Sequence, residues 1–413
     1  MFKEFSRPVP DHLEREANRI ADPLERLRYL RKHAPATVGA PEPKVVTGPS
    51  AFRRGKRQVM AIAAAGIVGA GALVYSTQPQ WFRAQADAPK RTVVIPYAGP
   101  NAAAVWKVET SETEEVYSNG LRVDLSFATH NRPRAEYPIF AMVGDSQPIA
   151  MAREPRGIVF HTTESDIAPF EESETKKIGY LGHMLLRFVR REHSYHYLVD
   201  RFGRVYRVVE ESDAANHAGF SVWSDDRGVY VNLNDSFIGI AFEGKMENRE
   251  GITAGQITAA RQLTEMLRAR YDIRAEDCVT HAQVSVVPQN MHLANHMDWA
   301  QGFPWASFNL PDNYKLPVPA VTAFGFEHDE VLTKASGGKD WPGLLAADKK
   351  LLEDAAGEPS TEARHRGMLR HRYHEILTGL RQQQQTSAAA QAAEKNSNGG
   401  AARNVPANDL GDI

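Results

Sequence analysis

Cysteine is nearly absent: a single thiol, Cys278, stands in 413 residues, which excludes an intramolecular disulfide and a cysteine-rich structural zinc cluster. A buried, inert side chain is the expectation for it. Net charge is nearly absent too. A formal balance of -2 gives no global attraction for nucleic acid, and no such partner is expected. What the chain does have is apolar residues, 42% of the total, enough for one substantial domain with accessories.

Residues 1–57 are highly charged, and Leu13, Ala17, Ile20, Leu24, Leu27 and Leu30 recur there at helical spacing. They read as a charged helical segment on the cytoplasmic side, kinked or split at Pro23, followed by a linker from Ala34 to Ser50. The sequence names no protein partner for it. After Arg53-Arg-Gly-Lys-Arg57 comes an uncharged run from Val59 to Thr77. As a helix it would be roughly 28 Å long, close to the hydrocarbon thickness of a bilayer. Basic residues before the run keep the N-terminus in the cytoplasm, so residues 58–78 are expected to be a transmembrane signal anchor with the rest exported. A cleaved signal is the rival reading, with Ala84-Gln85-Ala86 as a small-x-small site.

Residues 79–155 read as a linker and a small β-rich accessory region. Its strands are expected at Thr92–Ile95, Ala104–Val108 and Leu121–Phe127, with a turn at Ser118-Asn119-Gly120. The main domain spans 156–312. Ile158, Val159 and Phe160 form a β-branched and aromatic run that leaves His161 at the C-terminal mouth of a buried strand. A helix over Lys177–Arg191 follows, then a hairpin of His196–Asp200 and Arg204–Val209 around Arg201-Phe-Gly203. Phe237–Phe242 is a further apolar strand, and Thr253 is an N-cap for a helix reaching Tyr271. Strands alternating with helices give an α/β class with a central mixed sheet flanked by helices. Helices near Gly343–Ala356 and Thr361–Arg381 make a C-terminal extension, in which His365, His371 and His374 read as a solvated face. Residues 382–413 have the composition of a disordered tail.

A catalytic zinc needs three histidine or carboxylate ligands and one open position. Three candidates stand at element ends: His161, His281 after the strand-like Asp277–Thr280, and Asp298. The surrounding text resembles the zinc-dependent N-acetylmuramoyl-L-alanine amidases, the type 2 family that shares a fold with phage lysozyme-type amidases and peptidoglycan recognition proteins. The resemblance covers about Gly157 to Phe308. It rests on Val159-Phe-His-Thr-Thr163, Ser194-Tyr-His-Tyr-Leu-Val-Asp-Arg-Phe-Gly-Arg-Val-Tyr206, Asn216-His-Ala-Gly219, Asn234 to Gly244, Ile252-Thr-Ala-Gly-Gln256, Thr280-His281 and Asp298 through Trp305, in the family's order and spacing.

The resemblance implies that His161, His281 and Asp298 hold Zn2+. It implies hydrolysis of the amide between N-acetylmuramic acid and L-alanine, with peptidoglycan or muropeptides as partner. The anchor read from residues 58–78 agrees with this, giving an expected single-pass location in a bacterial inner membrane with the domain on the periplasmic side. The family's catalytic glutamate position falls on Ala241. Other members use a tyrosine directly before the hairpin histidine, and Tyr195 precedes His196 here, so Tyr195 is the expected catalytic partner and Glu243 the fallback. Where many members have lysine this chain has His296, able to donate the same hydrogen bond to an oxyanion. His292 and His296, four apart, are a weaker metal pair, and His196 and His217 read as supporting residues of the cleft. The alternative function is a non-catalytic muropeptide-binding module.

Overall fold

The structure, a computed structural model, describes residues 104–246, 251–355 and 359–401. The chain divides into two units, Met1–Thr92 and Val93–Ile413, and the second is the one described. The N-terminal helical segment, the Val59–Thr77 run and the strand expected at Thr92–Ile95 lie outside the described residues. Among the described residues no helix is long and apolar enough to cross a membrane.

The unit opens with three antiparallel strands, β1 (Lys107–Thr110), β2 (Glu114–Tyr117) and β3 (Arg122–Asp124). Gly120 turns the second into the third at φ +85°, a left-handed backbone that glycine adopts without strain. Next come β4 (Tyr137–Phe140), β5 (Pro148–Ala152) and β6 (Gly157–Thr162). Helix α1 (Thr175–Arg191) leads to the hairpin of β7 (Tyr197–Val199) and β8 (Val205–Arg207). A second hairpin, β9 (Val222–Asp225) and β10 (Gly228–Val231), precedes the single turn α2 (Leu233–Ser236) and β11 (Phe237–Phe242). Helix α3 (Ala254–Tyr271), β12 (Cys278–Thr280) and the short α4 (His281–Val284) follow. A two-stranded ribbon, β13 (Val286–Val287) and β14 (His292–Leu293), comes before four helices. These are α5 (Pro319–Phe324), α6 (Glu330–Ala335), α7 (Pro342–Asp354) and α8 (Pro359–Ala401).

Eight strands form the central mixed sheet in the order β1-β2-β3-β8-β7-β11-β6-β12. Every residue of β6 and β11 is buried, as parallel strands covered on both faces require. On one face α3 sets Ala260, Leu263, Met266 and Leu267 against Phe160, Ile240 and Phe242. On the other α1 sets Leu185, Leu186 and Val189 against Leu198, Tyr206 and Ala241. Each such large side chain contributes ~1.5–3 kcal/mol on full burial. Thr253 caps α3 as its sequence implies, its hydroxyl accepting from Gln256 N–H while the Gln256 side chain accepts from Thr253 N–H.

The accessory strands are divided between two sheets. β1–β3 extend the central sheet through parallel pairing of β3 with β8. β4 and β5 instead join β9 and β10 in an antiparallel sheet ordered β5-β4-β10-β9, which the sequence reading did not anticipate. Pro138 argues against an inner strand, and it is tolerated because β4 meets β10 at a single register pair, Phe140 with Val229. The C-terminal helices pack here: Phe324, Leu344, Tyr373, Ile376 and Leu377 share a core with Phe140, Val222 and Val229. Arg372 of α8 binds the carbonyls of Ala141, Met142 and Asp145. Helix α8 continues through residues 382–401, whose alanine and glutamine content has high helix propensity; residues 402–413 are outside the described set.

Candidate active site

β6 and β12 run parallel, so the residues ending them meet at one edge of the sheet. His161 is the fifth residue of β6, 1% exposed, and is paired in register with Ala241 of β11. His281 opens α4 directly after β12. Its turn is fixed by Thr280 and Gln283, which form a capping box, while the Gln283 amide donates to the Asn313 carbonyl at 2.9 Å. Asp298 arrives on the loop after β14, where its carbonyl accepts the Ala282 N–H at 3.1 Å. Ala294 and Trp299 bend that loop with φ of 54° and 60°, each costing of order 1 kcal/mol. The backbone spends that energy to set the carboxylate opposite the two imidazoles.

One ligand atom from each of His161, His281 and Asp298 lies within 4.8 Å of the other two, and all three residues are buried. Asp298 Oδ2 is 3.2 Å from His161 Nδ1, and Oδ1 is 2.9 Å from His281 Nδ1. Burial alone would raise the Asp298 carboxyl, but the neighbouring His281 and His161 hold it well below the usual carboxylate range. His161 is lowered to about 4 by burial first and then by His281. His161 is therefore neutral near pH 7.

The tautomers follow from the network. His217 Nε2 faces the Phe237 carbonyl at 3.3 Å and must donate to it, leaving Nδ1 as an acceptor. His161 Nε2, 3.2 Å away, donates to that nitrogen. A neutral His161 then turns a bare Nδ1 lone pair toward a carboxylate oxygen. Lone pair against lone pair is repulsive unless a cation sits between them. Two imidazoles and one carboxylate are a donor set that zinc accepts, and three protein ligands leave a fourth position for water or substrate.

Tyr195 packs its ring against His161 at 5.0 Å between centroids. Its backbone is left-handed, φ 62°, held by the end of α1, where Ser194 N–H reaches the Val189 carbonyl. Burial first, then Asp298 and Glu164, raise the phenol well above its ordinary value. His296 stacks its ring on His281 at 4.6 Å and 16°, and its backbone N–H donates to Ser285 Oγ; the residue is exposed. Glu243 is elsewhere. Its carboxylate accepts the Arg201 N–H at 3.1 Å and faces Gly182 of α1, and it shares no hydrogen bond with the three-residue cluster among the described residues. Ala241 is wholly buried and carries no proton-transfer group.

Supporting residues are fixed in turn. His196 is fully buried, accepting the Gly239 N–H on Nδ1 and donating from Nε2 to the Asp213 carbonyl. Asn234 Oδ1 accepts the N–H groups of His217, Ala218 and Gly219 at 2.8–2.9 Å. That clamp was not singled out in the sequence, where Asn234 is one amide among several. His292 lies near Glu327 and Asp329, at 4.0 and 3.8 Å, rather than beside Asp298. His371 and His374 are exposed and belong to no three-ligand group among the described residues.

Comparison with known proteins gives the following. Residues 151–297 match the family model described as N-acetylmuramoyl-L-alanine amidase. N-acetylmuramoyl-L-alanine amidase AmiD of Escherichia coli strain K12 is 31% identical over 177 residues, covering 39% of this chain and 55% of that protein. The chain thus spans about half the length of that curated relative. A solved complex of E. coli AmiD with anhydro-N-acetylmuramic acid-L-Ala-D-gamma-Glu-L-Lys is 22% identical, covering 51% of this chain and 94% of that one, with a TM-score of 0.33. AmpDh3 of Pseudomonas aeruginosa in complex with anhydromuramic pentapeptide is 21% identical, covering 51% and 89%, with a TM-score of 0.30. Drosophila peptidoglycan recognition protein SD is 20% identical, covering 38% and 84%, with a TM-score of 0.24.

Proposed function

We propose that this chain, whose residues 151–297 match the family model described as N-acetylmuramoyl-L-alanine amidase, is a zinc-dependent peptidoglycan amidase that hydrolyses the amide joining N-acetylmuramic acid to L-alanine. The observation that carries this reading is the convergence of His161, His281 and Asp298 within 4.8 Å. These three residues would hold the ion, through Nδ1 on His161. Zinc bound there supplies a Lewis acid that brings the pKa of water down to ~7 and polarises the amide carbonyl.

The chain's own groups do the rest. His217, by accepting from His161 Nε2–H, keeps the His161 lone pair on Nδ1. Tyr195, protonated through neutral pH because burial disfavours its phenolate, holds a proton that can stabilise the tetrahedral oxyanion or pass to the leaving amine. His296 offers a second donor at the rim. Its stacking on His281 sets the ring plane. Glu243, occupied by the Arg201 N–H, is the weaker acid–base choice.

The location is part of the proposal. Val59–Thr77 with its basic flank supports a single-pass anchor in a bacterial inner membrane, holding the domain on the side of the cell wall.

The test combines zinc content with release of stem peptide from purified peptidoglycan, using wild type, His161→Ala and Tyr195→Phe. About one zinc per chain and cleavage are expected in wild type, loss of both in His161→Ala, and retained metal with slowed cleavage in Tyr195→Phe. Zinc retention with peptidoglycan bound but uncut would replace the enzyme by a binding module.

A further inference from the structure

Helix α1 buries Ile178, Leu185, Leu186 and Val189 against the sheet. At about 100° per residue, Lys176, Tyr180, Met184, Arg187 and Arg191 fall within about 40° of the opposite direction. All five are exposed, Tyr180 by 64% and Met184 by 46%. Scattered apolar side chains on a surface need no explanation, but these continue beyond the helix. His183 meets the Phe127 ring at 5.8 Å, and Phe127 meets Tyr206 of β8 at the same distance. Arg204 stands over both Tyr206 and Phe202. Phe202 in turn touches Phe170, which carries Arg201 on its face; these two rings are 53% and 46% exposed. The result is a band of rings interleaved with cations, running from α1 to the tip of the β7–β8 hairpin. Strands β7 and β11 separate β8 from β6, so the band is distinct from the cluster around His161.

Charge decides what such a band fits. From Thr175 to Arg191 the helix carries Lys176, Lys177, Arg187, Arg190 and Arg191 and no acidic residue. Lys177 lies 3.9 Å from Glu174, and Arg191 is paired with Glu192 at 2.8 Å. Lys176, Arg187 and Arg190 make no ion pair among the described residues. Glu172 and Glu174 stand before the helix, at the positive end of its dipole. The core of a protein–protein interface is depleted of charged residues, whereas here cations stand on and between the rings. That arrangement suits a lipid surface, where rings reach the acyl boundary while long basic side chains extend to the phosphates. We propose that this band docks on an anionic phospholipid bilayer, with α1 lying in the plane of the headgroups. To the proposed Val59–Thr77 anchor it adds a second, reversible contact that fixes which way the domain faces. It stands whether or not the chain is an amidase.

The experiment uses the full chain, labelled with an environment-sensitive thiol dye through Tyr180→Cys or, on α7, through Leu345→Cys; the buried Cys278 stays unlabelled. Leu345 is 57% exposed on a helix whose Leu344 and Ala347 pack toward the second sheet, so it reports contact made by another face. Each protein is incorporated into vesicles of phosphatidylcholine alone or of an equal mixture with phosphatidylglycerol, and dye emission and quenching by a lipid-borne quencher are measured. The label at position 180 should shift to the blue and be quenched in the mixed vesicles, return to its aqueous spectrum at high salt, and stay aqueous in phosphatidylcholine. The label at position 345 should stay aqueous in both. Arg187→Gln combined with Arg190→Gln keeps helix propensity and should lower the ratio of docked to undocked protein roughly tenfold or more; Arg187→Lys with Arg190→Lys should dock as wild type does. Equal shifts at positions 180 and 345, no difference between the two lipids, or no loss in the glutamine variant would overturn the proposal. So would a label at position 180 that is buried by purified peptidoglycan and not by vesicles, which would make the band a wall-binding surface.

Discussion

Replacing Arg207 by methionine removes the centre of a buried ion network that ties β2 to β8 within the central sheet. Its guanidinium binds Glu115 Oε2 of β2 at 2.7 Å and lies 3.5 Å from Glu211, which Arg270 of α3 also holds, at 2.7 Å. Glu115 and Glu211 are 4% and 7% exposed. Burial raises the Glu115 carboxyl, but Arg207, Lys107 and Tyr117 together bring it down to about 2 from an ordinary 4.5, a difference equivalent to about 3 kcal/mol. Removing one partner of a buried pair costs ~3–5 kcal/mol. Lys107 still faces Glu115 at 2.5 Å, so the lower figure applies. For a unit of this size about 3 kcal/mol corresponds to a melting temperature lower by roughly 5 °C. The sign with pH follows: a depressed carboxyl stabilises the fold above about 4.5, and that stability is lost as pH falls toward about 2. Without Arg207, burial is less opposed and the acid loss shrinks. Thermal unfolding followed by circular dichroism from neutral pH down to about 3 measures both effects. A melting temperature within about 2 °C of wild type, or the same acid slope in both proteins, would refute the reasoning.

Three other outcomes are expected. Gly157→Ala would place a Cβ 2.1 Å from Phe237 Cε1 and 2.4 Å from the Asp277 carbonyl; wedging these strands apart should cost about 3 kcal/mol, visible as a lower urea midpoint, and an unchanged midpoint would mean the contact yields freely. Cys278 is fully buried and its thiol is pushed up to about 12 by burial, so a thiol reagent should label it only after denaturation. His328 binds Asp348 at 2.8 Å, which raises the imidazole above its ordinary 6.5. It therefore stabilises below 6.5 and ceases to as pH rises through the raised value, and His328→Gln should flatten that decline by up to about 1 kcal/mol; parallel pH profiles would count against it.

Legibility from the sequence followed locality. β6 and β11 announce themselves as apolar runs, and α3 by its cap and periodic face, because each is specified within its own segment. His161, His281 and Asp298 were legible as a set through the motifs around them, and the fold places them together. The second sheet was hidden by Pro138 in an inner strand that pairs on one side almost only at Phe140. The Glu115–Arg207 network was hidden because it depends on the parallel meeting of β3 with β8, which no local pattern encodes. The setting of His217 was hidden as well, since its deciding contact is a backbone carbonyl at Phe237.

The grip of Arg372 on the β4–β5 connection also has a kinetic meaning. Its three bonds span 227 to 231 residues of sequence, so they close a very long loop, and such contacts form late. A chain emerging N-terminus first presents β4 and β5 long before α8 exists to receive them. The second sheet must wait, partly uncovered, until nearly the whole unit has been delivered.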